Sequence, residues 1–176
     1  VATLWAPQMP PQDGSAFFQL WRDAAQRGVD TRVAGQRGLH FLHPPPAWEP
    51  LKQSRINERS LVLRISHGKH SFLFTGDIQS EAEARLSGSI PKTTVVQVPH
   101  HGSKTSSTPT LLEHTPPLHA LFSCGLANRF GHPHPQVVQR YQALGAAIHR
   151  TDLHGLVTAT VDPHGTFSIT RTPQLP

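Results

Sequence analysis

The chain has 176 residues and a formal net charge of +5, from 16 Lys and Arg against 11 Asp and Glu. This length fits one domain, residues 1–176, that is large enough to bury a core of its own. The single cysteine, Cys124, excludes an internal disulfide framework and a Cys-rich zinc module. No stretch approaches the roughly 20 apolar residues of a membrane span. The positive charge favours anionic partners, including nucleic acid, without singling them out.

The first part of the chain predicts short strands and one amphipathic helix. Asp13-Gly-Ser15 supplies N-cap chemistry for a helix that runs to about Arg27 and is closed by Gly28. Its apolar residues form one broad face, so we assign the helix a packing role. Apolar and β-branched runs predict strands over residues 1–6, 31–34, 38–43, 61–65 and 72–74.

The second part alternates helices with strands, which is typical of layered α/β folds. An amphipathic segment around residues 81–86 predicts the first helix, and Pro109 and Pro135 each suit the first turn of another. Strands are expected over residues 94–99, 120–123, 147–150, 156–161 and 166–169, with a hairpin turn at residues 162–165.

Two polar motifs follow neighbouring predicted strands. Asp77 ends the first motif, Thr75-Gly-Asp77, and His100 and His101 begin the second, which continues into Gly-Ser. Because strand ends converge on a cleft in layered α/β folds, we expect these three side chains within metal-bridging reach. Such a group either ligates zinc or manganese or acts as acid and base. A Gly-Asp pair after a strand is also an ordinary turn, and this alternative stays open.

Five motifs in a fixed order resemble the metallo-β-lactamase-like domain of the ComEC family, the DNA-uptake proteins of bacteria. They are Asn57-Glu-Arg-Ser-Leu-Val-Leu-Arg64, Phe74-Thr-Gly-Asp77, Pro99-His-His-Gly-Ser-Lys-Thr-Ser106, Asn128-Arg-Phe-Gly-His-Pro-His-Pro135 and Arg150-Thr-Asp152. The resemblance covers about residues 38 to 170. It implies an α/β fold, an αββα sandwich of mixed sheets flanked by helices. In that family the domain is fused to a multi-spanning inner-membrane channel and is regarded as a metal-dependent nuclease for the non-transported strand.

The matching motifs imply roles for six residues. Three are expected to ligate a divalent metal, Zn or Mn: Asp77, His100 and His134. Three are expected to take part in catalysis: His101, Lys104 and Asp152. Lys104 would neutralise backbone phosphate, as would Arg129. A solvated loop charge for each of these two residues and a local cap or turn for Asp152 remain alternatives.

The motif Gly-His-Pro-His-Pro at 131–135 presents two more imidazoles beside a predicted helix. Its prolines fix the backbone near the helix start, where the positive helix end favours a neutral, ligand-ready imidazole. We therefore expect His132 or His134 to face the Asp77 cleft. An exposed loop that packs on Phe130 is the alternative.

The chain departs from the family pattern in one respect. The family fold's main metal motif, His-x-(His/Asp)-x-Asp-His, has no counterpart here, since the one His-x-His is His132-Pro-His134. The sequence starts at Val1 rather than Met, which indicates a fragment or an alternative start codon. We expect a soluble, truncated domain with the N-terminal metal-motif half missing. One face of its sheet would be uncovered, and its metal would lack some of its ligands. The domain would be attached to the membrane only through a channel portion that is missing from this chain.

Three functions remain in competition at this point. The first is a metal-dependent nuclease that degrades single-stranded DNA when complete, with the isolated chain inactive or weakly active. The second is a truncated, non-catalytic domain that binds DNA or the upstream half of the same domain. The third is hydrolysis of a small ester or thioester, since one fold hosts many substrates. Metal content after purification separates the first function from the second.

Overall fold

The computed structural model describes residues 3–6, 19, 22–24, 26–27, 30–33, 38–45 and 56–172, and the structural statements below concern these residues. Ten strands lie among them: β1 Thr3–Ala6, β2 Asp30–Val33, β3 Leu39–His43, β4 Val62–His67, β5 His70–Phe74, β6 Thr93–Gln97, β7 Pro117–Phe122, β8 Ala147–Arg150, β9 Leu156–Val161 and β10 Phe167–Thr172. Four α-helices have complete bounds: α1 Ser80–Leu86, α2 Pro109–His114, α3 Pro135–Ala143 and α4 Thr151–His154. Short 3-10 helices span Ile56–Arg59 and Pro99–Gly102.

Six of the strands form one mixed sheet in the order β3-β4-β5-β6-β7-β8. The first three pair antiparallel, and a tight turn at Gly68 and Lys69 joins β4 to β5. From β5 onward the pairs are parallel, with Phe72 opposite Val95 and Val96 opposite Ala120. Parallel neighbours need a crossover, and the helices between these strands supply it. The carboxyl ends of β5, β6 and β7 therefore lie at one edge of the sheet.

The two faces of this sheet bury different partners. On the face that packs against helices, Leu73, Val96 and Phe122 join a core with Ala82 of α1 and Tyr141 of α3. Phe122 and Tyr141 meet edge to face with ring centroids 5.6 Å apart. Because side chains alternate along a strand, the intervening residues point to the opposite face.

A hairpin of β9 and β10 packs on that opposite face. Phe167 of β10 stacks on His70, with ring centroids 5.3 Å apart, and contacts Phe72 and His119. The hairpin covers the face only in part, since a groove of about 340 Å³ remains beside it. Phe74 lines this groove and is 42% exposed.

The structure confirms the predicted α/β class and most predicted elements. The described residues of the segment before Arg27 are helical, while its predicted N-cap and most of its apolar face lie outside the described residues. Three details differ from the sequence analysis. β7 begins earlier, at Pro117; the His-His pair lies in a tight turn with left-handed backbone angles; and α4 follows β8 where only a motif was expected. The complete αββα sandwich stays a prediction.

β1 and β2 pair with each other in parallel and form a separate two-stranded sheet. Among the helices of the described residues, none is long and apolar enough to cross a membrane.

Candidate functional site at the strand ends

Asp77 is placed by a tight turn at the end of β5. Gly76 has φ +55, and a Cβ added there would lie 2.8 Å from the Cβ of Ser60. The Asp77 backbone N–H donates to the Ser60 hydroxyl oxygen over 3.1 Å. Only glycine fits this close approach, which explains why the residue before Asp77 is Gly.

The His-His motif follows β6 in an unusual backbone conformation. His100 and His101 have φ 50 and φ 57, in the left-handed region, and Gly102 follows with φ 82. Each non-glycine residue in that region costs about 1–2 kcal/mol. The backbone N–H of His100 donates to the Gly76 carbonyl over 3.0 Å, which ties the two motifs together. The two motifs therefore lie at the ends of neighbouring strands, as predicted, but only the His101 side chain is observed next to that of Asp77.

His101 is the histidine that faces Asp77. Its Nδ1 lies 2.6 Å from the carbonyl oxygen of Ser123, and its Nε2 lies 3.6 Å from the Asp77 carboxylate. Because a carbonyl can only accept, Nδ1 carries the proton, and in the neutral ring Nε2 keeps a lone pair. Metal-ligating histidines commonly donate their other ring N–H to a backbone carbonyl in this way, which fixes the tautomer.

His100 is held by side-chain amides instead. The Gln79 amide nitrogen lies 3.1 Å from its Nδ1, and the Asn57 amide nitrogen makes a weaker contact of 3.5 Å with its Nε2. The predicted metal role of His100 stays a prediction, and the contacts of His101 make it the closer partner of Asp77.

Glu58 organises the support beneath these residues. Its fully buried carboxylate accepts the backbone N–H groups of Gln79, Glu81 and Ala82 at 3.2, 3.1 and 2.9 Å. It thereby fixes the start of α1 and, with it, the position of Gln79. Sequence analysis quoted Glu58 only as part of a motif, and a buried carboxylate leaves no local sequence signal.

The loop before α3 brings His132 to the cluster. Its ring centroid lies 5.9 Å from that of His100, and its backbone is held by two hydrogen bonds with the Asn128 amide, at 3.0 and 2.6 Å. Burial and the nearby imidazoles of His100 and His101 lower the pKa of His132, so its neutral form is favoured. His132 thus lies beside His100 and lines a cavity with His101, and its ring also stacks on Phe130, as the alternative predicted. That one histidine of this motif faces Asp77 stays a prediction.

His134 lies one position before α3. Its backbone N–H donates to the Gly102 carbonyl over 2.9 Å, and a Cβ added at Gly102 would lie 2.7 Å from Pro133. The Nδ1 atom of His134 is buried and has no hydrogen-bond partner. An orphaned buried imidazole nitrogen is costly, and a bound cation is one way to satisfy it.

The donor atoms fit a borderline divalent metal in type and partly in spacing. Imidazole and carboxylate suit zinc, and two ligands of a tetrahedral zinc lie about 3.4 Å apart when each bond is about 2.1 Å. The 3.6 Å between Asp77 and His101 Nε2 is close to that value. Within the described part of the chain, no three His, Cys, Asp or Glu side chains form a complete metal group. Asp77 and His101 are thus two donor groups at a spacing compatible with one shared metal, and metal binding by them stays a prediction.

A cavity of about 360 Å³ opens beside His101. Its lining residues are His101, Ser123, Cys124, Gly125, Asn128, Phe130, His132 and Thr151. Burial and a hydrogen bond to Asp152 raise the pKa of Cys124 to about 11, so the thiol is inert at neutral pH.

The remaining two predicted catalytic residues lie apart from the Asp77–His101 pair. Asp152 forms a two-pronged ion pair with Arg150, and hydrogen bonding from this guanidinium lowers the pKa of Asp152. These contacts match the alternative of a local structural role. Lys104 is exposed and lines a separate cavity of about 330 Å³ with Gln79 and Arg140. Catalytic roles for both remain predictions.

Comparison of the sequence with known proteins finds bacterial competence proteins among its relatives. The chain is 35% identical over 134 residues to ComE operon protein 3 of Bacillus subtilis (strain 168), which covers 74% of the chain and 17% of that protein. It is 39% identical over 120 residues to competence protein ComA of Neisseria gonorrhoeae, and this match covers 66% of the chain and 17% of that protein. Recombination protein 2 of Haemophilus influenzae is 35% identical to the chain over 121 residues, and this match covers 69% of the chain and 15% of that protein.

These similarities show that the chain belongs to the ComEC family of competence proteins. The matches span only 15% to 17% of the length of these relatives. No protein-family model matches the chain.

Proposed function

We propose that this chain is part of a metal-dependent phosphodiesterase that degrades single-stranded DNA during DNA uptake. The observation that carries the proposal is the Asp77–His101 pair, whose carboxylate and Nε2 face each other over 3.6 Å at adjacent strand ends. The competence names of the relatives supply the biological setting. Their full activity extends over a much longer chain, so the assignment of this step to the matched segment is our inference.

Asp77 and His101 would hold the metal. His134, whose Nδ1 is buried without a partner, would join them only if the site rearranges, because among the described residues it forms no metal group with this pair. Zinc or manganese, when bound, would activate water and polarise a phosphoryl oxygen. Ser123 orients the His101 ring through its carbonyl, and Glu58 and Ser60 fix the backbone on which Asp77 stands. The ligands that this pair lacks would come from another segment of the complete protein.

Binding of nucleic acid by this chain is supported by its charge. The chain carries a net charge of +5, and Lys104 and Arg140 line one cavity together with the polar side chains of Gln79 and Thr105. Basic groups on such a surface would bind backbone phosphates irrespective of sequence. The cavity shares Gln79 with the His100 environment, so a strand bound there would pass close to the histidine cluster.

The second candidate function is DNA binding without chemistry. It is favoured by one observation, the lack of a complete metal group within the described ranges. This candidate predicts DNA affinity that is insensitive to metal and to Asp77→Ala.

The test compares variants of the complete protein that contains this segment. Asp77→Ala and His101→Ala should each lower manganese- or zinc-dependent cleavage of single-stranded DNA by 100-fold or more, since each removes a metal ligand. Direct titration should show weaker metal binding by about 10- to 100-fold. His164→Ala, which removes an exposed histidine in the β9–β10 turn, should leave both unchanged. Unaltered cleavage and metal affinity in Asp77→Ala would refute the proposal.

A further inference from the structure

We infer that the cavity beside His101 is a nucleobase subsite, in which Phe130 provides a stacking surface for one unpaired base. The inference rests on the proposed function only in taking nucleic acid as the substrate. Phe130 is 67% exposed and lines the cavity together with His132. At this position the ring offers an aromatic face on which a base can stack.

Two neighbouring groups contact the Phe130 ring, which nevertheless stays 67% exposed. The Arg129 guanidinium carbon lies 4.9 Å from its centroid, and the His132 ring stacks on it at 5.9 Å with an interplanar angle of 22°. Aromatic rings and guanidinium planes are the two surfaces on which proteins stack unpaired bases. The Arg129 guanidinium also puts a positive charge beside the ring, and this charge would attract a flanking phosphate.

The loop that carries Phe130 is organised before any ligand binds. The Asn128 amide donates to the carbonyls of Gly125 and His132 and accepts the His132 N–H, at 2.9, 2.6 and 3.0 Å. A ring presented on a braced loop loses little conformational entropy when it binds. These bonds already use the Asn128 amide. The Thr151 hydroxyl is likewise hydrogen-bonded, to the backbone N–H and carbonyl of Cys124.

Size and lining define the ligand as one planar ring. A volume of about 360 Å³ lies at the small end of the roughly 300–1,000 Å³ typical of ligand pockets. Since Asn128 and Thr151 are already hydrogen-bonded, stacking rather than edge reading would dominate, which predicts tolerance of all four bases. His101 lines the cavity and also faces Asp77, so the bound base belongs to a nucleotide next to the scissile phosphate.

A base can enter this cavity only when it is unstacked and unpaired. The subsite would therefore favour single strands over duplexes without reading sequence. Such a selection fits a site that must degrade one strand and spare duplex DNA.

The experiment measures binding of the chain by fluorescence anisotropy, without added metal, so that no cleavage occurs. Three probes are compared: a labelled oligothymidine of about 12 nucleotides, an abasic strand of equal length and charge, and the corresponding duplex. The wild-type chain should bind oligothymidine more tightly than either other probe. Phe130→Ala should weaken binding to oligothymidine about fivefold to 100-fold and leave abasic binding unchanged.

Two matched variants make the result specific. Leu126→Ala removes an equally exposed apolar side chain, 67% exposed, and should have no effect. Phe130→Trp should keep or increase affinity, because it keeps an aromatic face. The loss in Phe130→Ala should be the same at low and high salt, whereas Arg129→Gln should reduce the salt dependence for both single-stranded probes.

Equal affinity of the wild-type chain for oligothymidine and the abasic strand would overturn the subsite. So would equal losses in Phe130→Ala and Leu126→Ala. Failure of the phosphodiesterase proposal is distinguishable, since cleavage could be absent while base-dependent binding persists. Conversely, cleavage with base-independent binding would retain the enzyme and remove the subsite.

Discussion

His100 and His101 hold a backbone conformation that most residues avoid, and this strain is localised at the candidate site. Two successive left-handed residues, at φ 50 and φ 57, are held by the bond from His100 N–H to Gly76 and by the bond from His101 Nδ1 to Ser123. Strained conformations of this kind persist where surrounding contacts fix them, and they cluster at functional sites. Here the strain turns one imidazole toward Gln79 and the next toward Asp77.

At the same scale, a substitution of Glu58 tests whether its hydrogen bonds to the start of α1 stabilise the protein. Glu58→Gln keeps the shape of the side chain but replaces one oxygen with an amide group, which would face a backbone N–H donor. Because charged, buried hydrogen bonds are lost, we expect the free energy of unfolding to fall by about 2–3 kcal/mol. Urea denaturation of Glu58→Gln measures this loss. Glu113→Gln, at an exposed position of α2, should hardly change the urea concentration at the unfolding midpoint. Equal midpoints for the two variants would contradict the role of Glu58.

Sequence reasoning predicted that Asp77 and His101 come together, because both motifs follow strands that the apolar pattern predicts well. It expected His100 at Asp77 as well, whereas His100 turns toward Gln79. It did not predict the partners of those residues. Glu58 lies 21 positions from Gln79, with which it bonds, and such a contact follows from tertiary structure alone. The left-handed turn at His100 likewise was not predicted, since non-glycine residues of any type adopt this conformation only in a small minority of cases.

At the scale of elements, the β9–β10 hairpin is joined to the sheet through a line of polar groups. Arg171 of β10 contacts His149 Nδ1 at 3.2 Å, and His149 Nε2 lies 3.2 Å from His119 Nδ1. Because arginine only donates, Nδ1 of His149 accepts, so its Nε2 carries the proton and donates to His119. The chain of bonds therefore requires a neutral His149.

Protonation of His149 should loosen this hairpin. Burial first, then the charges of Arg171, His119 and His154, lower the pKa of His149 to about 4, and burial lowers the pKa of His119. A depressed native pKa gives stability that is complete above the unfolded value of about 6.5 and lost as pH falls toward the native value. We expect up to about 3 kcal/mol of unfolding free energy to be lost from His149 between about pH 6.5 and 4.

Urea unfolding across this pH range measures the effect. His149→Gln removes the titrating group and should flatten the decline in stability. His164→Gln, at the exposed hairpin turn, should keep the wild-type slope. An unchanged slope in His149→Gln would show that the hairpin contact does not control the acid response.

The sequence predicted the elements better than their ends and attachments. Alternating apolar residues identified β9 and β10, and Pro109 and Pro135 correctly marked the starts of α2 and α3. The helix α4 was missed because its four residues carry no periodic pattern. The attachment of the hairpin through His70, His119 and His149 depends on pairing across the sheet, which local sequence does not encode.

At the scale of the whole molecule, one face of the sheet is only partly covered. The hairpin covers part of it and leaves the groove lined by Phe72, Phe74 and Leu121. The chain matches 15% to 17% of the length of its relatives, so these proteins contain much further sequence that can cover this face. The family resemblance, rather than the residue pattern, led to the expectation of an uncovered face and a shortage of metal ligands.

The last prediction follows from that shortage. A full structural zinc site contributes roughly 10–16 kcal/mol, and a partial set of ligands would lose most of it. We therefore expect the isolated 176-residue chain to show little or no zinc- or manganese-dependent cleavage of single-stranded DNA. Addition of the segment that precedes the matched region in its relatives should restore cleavage, measured with a labelled strand, and Asp77→Ala should abolish it.

Phe74→Asp should also block restoration, because it places a charge on the apolar face, whereas His67→Asp, at an exposed position of β4, should not. Robust cleavage by the isolated chain that depends on Asp77 would show that its own ligands suffice.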